Sequence, residues 1–493
     1  MTGVWAVRRY IRGRGRARAS WTDRYTILAG TVMLAVPLWQ LAQAAVSSLA
    51  REFEPSRAGA GLALVALTYA GLLALARTFG PVSVSAADAA WLVLSPLPRR
   101  GVLGRTASIL LILALAGGAV LGVALLAALG APDHAMPRLV IAVVLGACAV
   151  VGGTASAVLA QSSPVWDALT QALIAGAVSA SVIAVALGNG PGRNLLAAVA
   201  DAPVSLGAAL AATCAAVTAL LLRLAWGALG RIPARPLLDA SRRTGHVAAA
   251  WVVLDPGALT WIAEDHHWRG RLLRSRPWPA RPAAPAAVAW ADWRRLARRP
   301  RRIGVLLAST ALPALAAMAG IGTVPVAAAA TGALAAAVSG TAGARRDADE
   351  AGLSRLLGVP FRATLAARAL LPAVLGGTWL TLALAWPAVV GALPGAVSWG
   401  LGPAAAPALS AGALRMARRR PVDHSMPVIP TPAGPLPTGP FLWALTGIDV
   451  ALLGCAPALL ALDAPPSAAP AFLVAQVLAG TFSLVAFLAT ARR

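Results

Sequence analysis

The chain contains no lysine, so all 42 of its basic side chains are arginine. A phosphate-binding P-loop requires a lysine, which excludes an ATPase site of that kind from this chain. A Schiff-base lysine is excluded for the same reason. Its three cysteines, Cys148, Cys214 and Cys455, lie inside long apolar runs, a pattern that gives little support for a disulfide framework or a thiolate metal site.

Charged residues are also scarce: they make up 12% of the 493 residues, whereas hydrophobic residues make up 58%. About a quarter of the residues of a soluble protein are charged. So few polar side chains cannot cover a water-facing surface, which excludes a soluble enzyme. The sequence also shows no Ser/His/Asp arrangement, paired-carboxylate motif or GxSxG motif. We therefore expect no catalytic, cofactor-binding or metal-binding residues in this chain.

Long apolar runs dominate the sequence instead, and Ala, Leu, Val and Gly are their main residues. A helix needs about 20 apolar residues to cross the roughly 30 Å core of a bilayer. Twelve runs reach that length: 25–49, 58–77, 105–130, 137–160, 165–188, 203–226, 303–321, 323–343, 366–390, 396–414, 441–462 and 469–490. We predict an all-α polytopic membrane protein with about 12 transmembrane helices.

The distribution of arginine predicts the orientation of these helices and accounts for the formal net charge of +24. With the N-terminus in the cytoplasm, the outward loops contain four of the 42 arginines, namely Arg51, Arg57, Arg138 and Arg193. This positive-inside bias predicts a plasma-membrane protein with both termini in the cytoplasm. Arginines at the ends of membrane helices also argue against nucleic acid as a partner. Ala42-Gln43-Ala44 resembles a signal-peptide cleavage site, but removing the first run would leave eleven spans and spoil the charge alternation.

The sequence has features of a tandem duplication around one long polar stretch rich in proline and arginine. Ala87–Leu92 and Ala348–Leu353 share the pattern Ala-Asp-x-Ala-x-Leu, and each leads to Pro-x-Arg-x-x-Leu, starting at Pro98 and Pro360. Trp5 and Trp290 each begin an arginine-rich segment before the first and seventh runs. We predict a parallel 6+6 repeat with a first half at 1–228, a cytoplasmic linker at 229–289 and a second half at 290–493.

The segments that follow the second and eighth runs, 86–105 and 347–368, are termed the first and second elbows. The first elbow alternates Trp91, Leu92, Leu97 and Leu103 with charged residues, which predicts a short helix lying flat on the membrane. Trp290, Trp293 and Leu296 are three residues apart, so we expect them on one face of an interfacial helix. An elbow of this kind is either an interfacial anchor or a docking ridge for a cytoplasmic partner.

An interfacial helix, six spans per half and an Asp-containing elbow between spans two and three resemble the permease half of an ATP-binding-cassette exporter. Two halves in one chain resemble the fused permeases and, more narrowly, a group of actinobacterial multi-span membrane proteins. The resemblance implies that the elbows are coupling helices on a nucleotide-binding ATPase, a separate chain that would hold ATP and magnesium. It carries that role to eight residues: Asp88, Trp91, Pro98, Arg100, Asp349, Glu350, Pro360 and Arg362.

Two further polar features deserve an interpretation. Asp449 lies inside the run 441–462, and a carboxylate at that depth should face the bundle interior, a water-filled cavity or a partner. The cluster Glu264–Arg269 lacks metal-ligand spacing, which favours a solvated amphipathic helix. The leading hypothesis is an ATP-driven permease that exports an amphipathic or apolar solute and contacts membrane lipid. The alternatives are a secondary, ion-coupled carrier that uses Asp449 and a non-transporting membrane scaffold.

Overall fold

The computed structural model describes most of the chain after residue 52. The described residues are 53–84, 92–93, 95, 97–130, 133–235, 237–242, 284–350, 352, 355, 358–389, 398–420, 422–423, 425–431, 434–462 and 464–491. The chain divides into unit 1, Met1–His246 with Met318–Gly320, and unit 2, Val247–Ala317 with Ile321–Arg493. The division at His246 falls inside the predicted linker 229–289, whose Ile232 and Leu237 are buried among unit 1 residues. The predicted domain boundaries stay a prediction.

Unit 1 contains five long helices and one short helix among its described residues. These are α1 (Pro55–Phe79), α2 (Arg99–Leu129), α3 (Ala135–Ala160), α4 (Pro164–Asn189), the short α5 (Arg193–Ala200) and α6 (Val204–Ala228). The end of α1 and the start of α4 meet at an ion pair between Arg77 and Asp167. We call this end of unit 1 its base, and the first elbow lies there.

Close contact between α2 and α3 depends on small residues. Gly118 and Gly122 on α2 lie against Ala142 and Gly146 on α3, and a Cβ atom at any of the three glycines would overlap backbone atoms of the facing helix. Lipid offers no hydrophobic drive between helices, so close backbone approach of this kind is how membrane helices gain packing energy. Gly118 and Gly122 are four residues apart, as are Ala142 and Gly146, so each pair lies on one face of its own helix.

Unit 2 contains shorter and more broken helices. Its elements are α7 (Ala284–Ala297), α8 (Pro300–Ser309), α9 (Leu312–Met318), α10 (Val324–Ser339), α11 (Ala342–Asp349), α12 (Phe361–Val389), α13 (Leu401–Ala417), the hairpin β1 (Val428–Thr431) and β2 (Gly434–Pro437), α14 (Thr438–Leu445), α15 (Ile448–Gly454), α16 (Ala456–Ala461) and α17 (Ala469–Thr490). The hairpin is antiparallel, and Val428 pairs with Pro437. Short 3₁₀ turns, Ser398–Gly400 and Pro466–Ala468, precede α13 and α17.

The helical, membrane-embedded class is confirmed at the coarse level. Among the described residues, eight helices are long and apolar enough to cross a membrane by length and composition, with α8 and α9 counted as one helix, Pro300–Met318. They coincide with eight predicted runs: 58–77, 105–130, 137–160, 165–188, 203–226, 303–321, 366–390 and 469–490. Many large apolar side chains on them are exposed, such as Ile112 on α2 and Phe482 on α17. Exposed apolar patches of this extent are typical of a surface that contacts lipid.

Four predicted runs have another outcome. Run 25–49, with its signal-peptide alternative, lies outside the described residues, as does the cluster Glu264–Arg269. Run 323–343 becomes the pair α10 and α11, bent by 58°. Run 396–414 becomes α13, which has 17 residues with Pro407 inside. Run 441–462, predicted as a single span, is divided into α14, α15 and α16, so 12 spans are not confirmed.

The division of run 441–462 has a backbone cause and a side-chain partner. Gly447 adopts a φ of 96°, a left-handed conformation that ends α14 and that other residues adopt only with strain. At the second break, the buried side chain of Gln476 on α17 satisfies the backbone. Its amide nitrogen donates to Gly454 O at 2.8 Å, and its oxygen accepts from Ala458 N at 2.9 Å. Helix breaks at membrane depth require such partners.

Candidate functional site

The structure places six of the eight predicted coupling residues. Pro98, Arg100, Asp349, Glu350, Pro360 and Arg362 are all exposed. Pro98 immediately precedes α2 and Asp349 ends α11, whereas Arg362 lies in the first turn of α12. Asp88 and Trp91 lie outside the described residues. The assignment of these eight side chains to a partner stays a prediction.

The first elbow presents its described apolar side chains to unit 1 itself. Leu92, Val102 and Leu97 contact one another, and Val93 and Leu103 join a larger cluster at the base. That cluster collects residues from α2, α3, α6 and the segment after α6, including Val158, Leu229, Ile232 and Leu237. Those apolar residues therefore anchor the elbow, which leaves the exposed polar side chains as the surface that a partner could contact.

Two arginines attach the start of α2 to the end of α6. Arg99 Nη1 donates to Ile232 O at 2.5 Å, and Arg100 Nη2 donates to Gly227 O at 2.9 Å. Carbonyls in the last turn of a helix have no partner within the helix, so a guanidinium is a suitable donor for them. The first elbow is thus joined to α6 through apolar packing and through arginine bonds to backbone.

The second elbow is held by a buried charge network that we call the Arg368 triad: Asp292, Asp347 and Arg368. Arg368 on α12 donates from Nε and Nη2 to the two carboxylate oxygens of Asp347 on α11, at 2.9 and 3.1 Å. Its Nη1 lies 2.5 Å from Asp292 Oδ1 on α7. The side chains of Arg368 and Asp292 are 7% and 3% exposed, so most of this charge is shielded from water.

The triad connects three helices of unit 2: α7, α11 and α12. Burial raises the pKa of the Asp292 carboxyl, and the charge and hydrogen bond of Arg368 oppose that shift. Space at the triad is tight, because a Cβ at Gly343 would overlap both Arg368 Nη1 and Asp292 Oδ1. A displacement of α11 would therefore be transmitted to α12 through a rigid, bidentate ion pair.

The face of α7 that contacts the protein differs from the predicted one. Val288, Asp292 and Leu296 are buried at intervals of four residues, whereas Trp290 and Trp293 are exposed. Grouping Leu296 with the tryptophans was wrong, because residues four apart share a helical face and Leu296 lies with Asp292. Trp290 and Trp293 are both exposed, and tryptophan is enriched at membrane interfaces, so the interfacial role of α7 stays a prediction.

Asp449 lies in the first turn of α15, directly after the break at Gly447. Its Oδ1 accepts from the Gly447 N–H at 2.7 Å, and its Oδ2 lies 3.2 Å from Arg415 Nη1 on α13. Both side chains of the pair are partly exposed, at 39% for Asp449 and 44% for Arg415. The carboxylate therefore has a cationic partner at the end of a short helix rather than a position deep inside an unbroken span.

Unit 2 also has a partly open apolar cavity of about 420 Å³ between α10, α12, α13, α15 and α16. Its wall includes Leu334, Leu384, Leu409, Ile448 and Cys455, and no charged side chain lines it. The volume lies within the range of about 300–1,000 Å³ typical of small-molecule sites. Such a wall can accept an apolar group by excluding water, but it offers little hydrogen bonding for orientation.

Sequence reasoning missed Arg368, Asp292, Asp347 and Gln476 as partners. Arg368 is the last residue of the second elbow, 347–368, but it also lies two residues inside run 366–390, and an arginine inside an apolar run is itself a signal of a buried pair. Gln476 in run 469–490 is a similar signal. The sequence could not identify Asp292 as a partner of Arg368, because the two residues are 76 positions apart along the chain.

A comparison with known proteins finds one family and no characterised relative. The model of a family of unknown function, DUF6297, matches residues 54–427, more than half of the chain. No curated protein and no solved structure matches the chain.

Proposed function

The chain belongs to the DUF6297 family of unknown function, and from that premise we propose that it is the membrane-spanning permease component of an ATP-driven transporter. The ATP would be hydrolysed by a separate cytoplasmic subunit, since this chain has no lysine for a P-loop. We propose export of an amphipathic or apolar solute. The proposal includes 12 spans in a 6+6 repeat, both termini in the cytoplasm and a location in the plasma membrane.

The observation that carries this proposal is the Arg368 triad. A permease worked from the cytoplasm needs a segment that is exposed to the ATPase on one side and rigidly joined to membrane helices on the other. Asp349 and Glu350 are exposed at the end of α11. Two residues before Asp349, Asp347 is bound bidentately by Arg368 on α12. A force on the exposed end of α11 would reach a candidate membrane-spanning helix through two hydrogen bonds.

The apolar cavity of unit 2 supports the choice of solute. It borders Leu380 and Leu384 on α12, the same helix that carries Arg368. Movement of α12 would change the shape of the cavity wall, and a wall of Ala, Leu and Val favours an apolar group. Polar headgroups of an amphipathic solute would have to remain outside this cavity, because burying them unpaired costs several kcal/mol, about 2–7 for a neutral group.

The test is co-purification of the ATPase with the full chain from native membranes in mild detergent. We expect a P-loop ATPase to co-purify with the wild type and to be lost from Asp349→Arg/Glu350→Arg, because the double change reverses the charge of an exposed elbow. Asp88→Arg with Asp349→Arg tests both elbows together. Asp133→Arg is a matched control, since Asp133 is exposed in the turn between α2 and α3. Unchanged co-purification of the charge-reversed variant would contradict the proposal.

The ion-coupled carrier makes a different prediction at Asp449. A coupling carboxylate must release and bind a proton during each cycle, and Asp449→Asn would abolish that cycle. The contact with Arg415 Nη1 gives the Asp449 carboxylate a fixed partner on α13, which supports a structural role instead. In the permease proposal, Asp449→Asn therefore keeps ATPase stimulation by the full chain. Proton-dependent uptake into vesicles that is lost in this variant would support the carrier.

A further inference from the structure

A second cavity in unit 2, which we call the basic pocket, has a chemistry opposite to that of the apolar cavity. It has a volume of about 500 Å³, and its lining residues include Arg415, Arg418, Arg419, Arg420, Trp443 and Phe487. These residues come from the end of α13, from the segment after it, from α14 and from the end of α17. The lining residues include none of the predicted coupling residues and no member of the Arg368 triad, although Arg418 interacts electrostatically with Asp347 of that triad.

Positive charge exceeds negative charge in the basic pocket. Four guanidinium groups line it, whereas Asp423 is its lining carboxylate and Asp449 pairs with Arg415 from outside the lining. The C-terminus of a helix attracts cations by only about 0.3–1 kcal/mol. That attraction is too weak to explain four arginines within residues 415–420. An anion in the cavity would reduce the mutual repulsion of these groups.

Aromatic rings hold two of the guanidinium groups in place. Arg418 lies over the ring of Phe361 at 4.6 Å, and Arg419 lies over the ring of Trp443 at 3.3 Å. Trp443 is fixed in turn, because its Nε1 donates to Arg420 O at 2.6 Å and its carbonyl accepts from Arg419 Nη1 at 3.2 Å. A guanidinium that stacks through its face still directs N–H donors along its edge, and such a fork fits phosphate oxygens.

Burial lowers the pKa of the Arg418 guanidinium, and the charge of Asp347 on α11 opposes this shift. The group remains protonated at neutral pH, since arginine titrates far above it. A bound anion would stabilise that charge in the same way as Asp347 does.

The position of the basic pocket favours a lipid over a soluble anion. The candidate span α17 ends at Thr490, so the lining residues Phe487 and Ala491 stand at the end of a membrane helix, where headgroups lie. Leu442 lines the pocket and is also exposed, so an apolar side chain lies at the mouth of the cavity. Basic pockets between membrane helices at an interface bind anionic headgroups.

We propose that the basic pocket binds the phosphate group of an anionic phospholipid, with Arg418, Arg419 and Arg420 on the phosphate and the acyl chains leaving past Leu442. The site requires a membrane-embedded chain and is independent of the ATP-driven function. A lipid bound here would bridge the end of α13 to α14 and α17. It would thereby stabilise the part of unit 2 that surrounds the breaks in run 441–462.

The experiment measures binding of dioleoylphosphatidylglycerol to the full chain in neutral detergent by native mass spectrometry. Dioleoylphosphatidylcholine and inorganic phosphate serve as the other probes. We expect one tightly bound phosphatidylglycerol. Its affinity should fall at least about tenfold in Arg418→Gln/Arg419→Gln, because tenfold corresponds to losing a single charge-assisted hydrogen bond and this variant removes two guanidinium groups. Arg298→Gln/Arg301→Gln removes the same charge from exposed positions of unit 2 and should leave the affinity unchanged.

Each outcome decides the proposal. An equal loss of lipid affinity in both double variants would show non-specific attraction and overturn the proposal. Unchanged lipid affinity in both would overturn it as well. Inorganic phosphate that binds tightly and displaces the lipid would overturn the lipid source, although the phosphate site would remain. If the first double variant does not fold, Arg420→Gln decides instead, because this side chain is exposed and its loss spares the ring contacts. Unchanged lipid affinity in Arg420→Gln would then overturn the proposal.

Discussion

The two units hold their elbows by different forces. Unit 1 packs Leu92, Val93 and Leu103 into apolar clusters and adds arginine bonds to backbone carbonyls. Unit 2 uses the Arg368 triad, in which one guanidinium serves two carboxylates away from water. If the motif pairing of Pro98 with Pro360 is continued along the chain, Thr106 stands opposite Arg368 and cannot supply the charge. The first elbow is held by many small contacts, whereas the second elbow depends on the single side chain of Arg368.

The difference predicts unequal tolerance to substitution. Apolar packing loses energy in proportion to the atoms removed, and neighbouring residues can partly fill the space. A buried ion pair is costly when one partner is removed, because the remaining charge stays buried without compensation. The second elbow should therefore be the more fragile and the more sensitive to pH.

The largest effect is expected for Arg368→Met. This change leaves Asp292 buried without its main cation and should lower the free energy of unfolding by about 3–5 kcal/mol. Thermal unfolding of the purified chain in detergent would measure the loss. Arg362→Met is a matched control, since Arg362 lies on the same helix but is exposed. Equal losses in both variants would show that the triad does not stabilise unit 2.

The same variant should show a characteristic pH dependence. Burial raises the pKa of Asp292 above 3.8, and in Arg368→Met the main opposition to that shift is gone. A carboxyl with a raised pKa contributes stability below its ordinary pKa, and this contribution disappears as the pH rises through the raised value. The deficit of the variant should therefore be smaller at about pH 5 than at about pH 8. A deficit that is the same at both would argue against a buried carboxylate.

A smaller effect is expected for Leu103→Ala in unit 1. Leu103 is fully buried in the base cluster, so the truncation should cost about 2–3 kcal/mol with no pH dependence between about pH 5 and 8. Ile112→Ala removes a similar volume from an exposed position of the same helix and should change little. A pH-dependent loss of stability in Leu103→Ala would contradict the distinction between apolar packing at the first elbow and buried charge at the second.

The smallest effect is expected for the ion pair between Arg77 and Asp167. Its two bonds, 2.6 and 2.9 Å long, are short, but its side chains are about one third exposed. A double-mutant cycle with Arg77→Gln and Asp167→Asn should give a coupling energy of about 0.2–1 kcal/mol. A coupling as large as that of Arg368 with Asp347 would show that exposure does not separate the two kinds of pair.

Much of the fold could be predicted from the sequence, because crossing a bilayer imposes a length and an apolar composition that are visible residue by residue. Run 165–188 became helix Pro164–Asn189, and run 469–490 became Ala469–Thr490. The break at Gly447 was missed, since hydropathy gives a glycine in a left-handed conformation the same value as one inside a helix. Gly447 and Pro457 within one run were the available signals.

The candidate site was less predictable for a different reason. The elbow motifs located exposed residues such as Asp349 and Arg362, which are visible as charges between apolar runs. The Arg368 triad depends on contacts between α7, α11 and α12, and such contacts across long stretches of chain leave no local pattern. The basic pocket likewise combines α13 with Trp443 and Phe487, which the sequence alone cannot bring together.

The most direct test of the permease proposal is cross-linking from the elbow in intact cells. Cys148, Cys214 and Cys455 would first be changed to serine, and Glu350→Cys would then be treated with a thiol-reactive photo-cross-linker. The proposal predicts a cross-link to a P-loop ATPase from Glu350→Cys and none from Asp133→Cys, which lies between α2 and α3 in a loop that the predicted topology places outside the cell. No ATPase cross-link at the elbow, or an equal one at both positions, would contradict the proposal that this chain is worked by a separate ATPase.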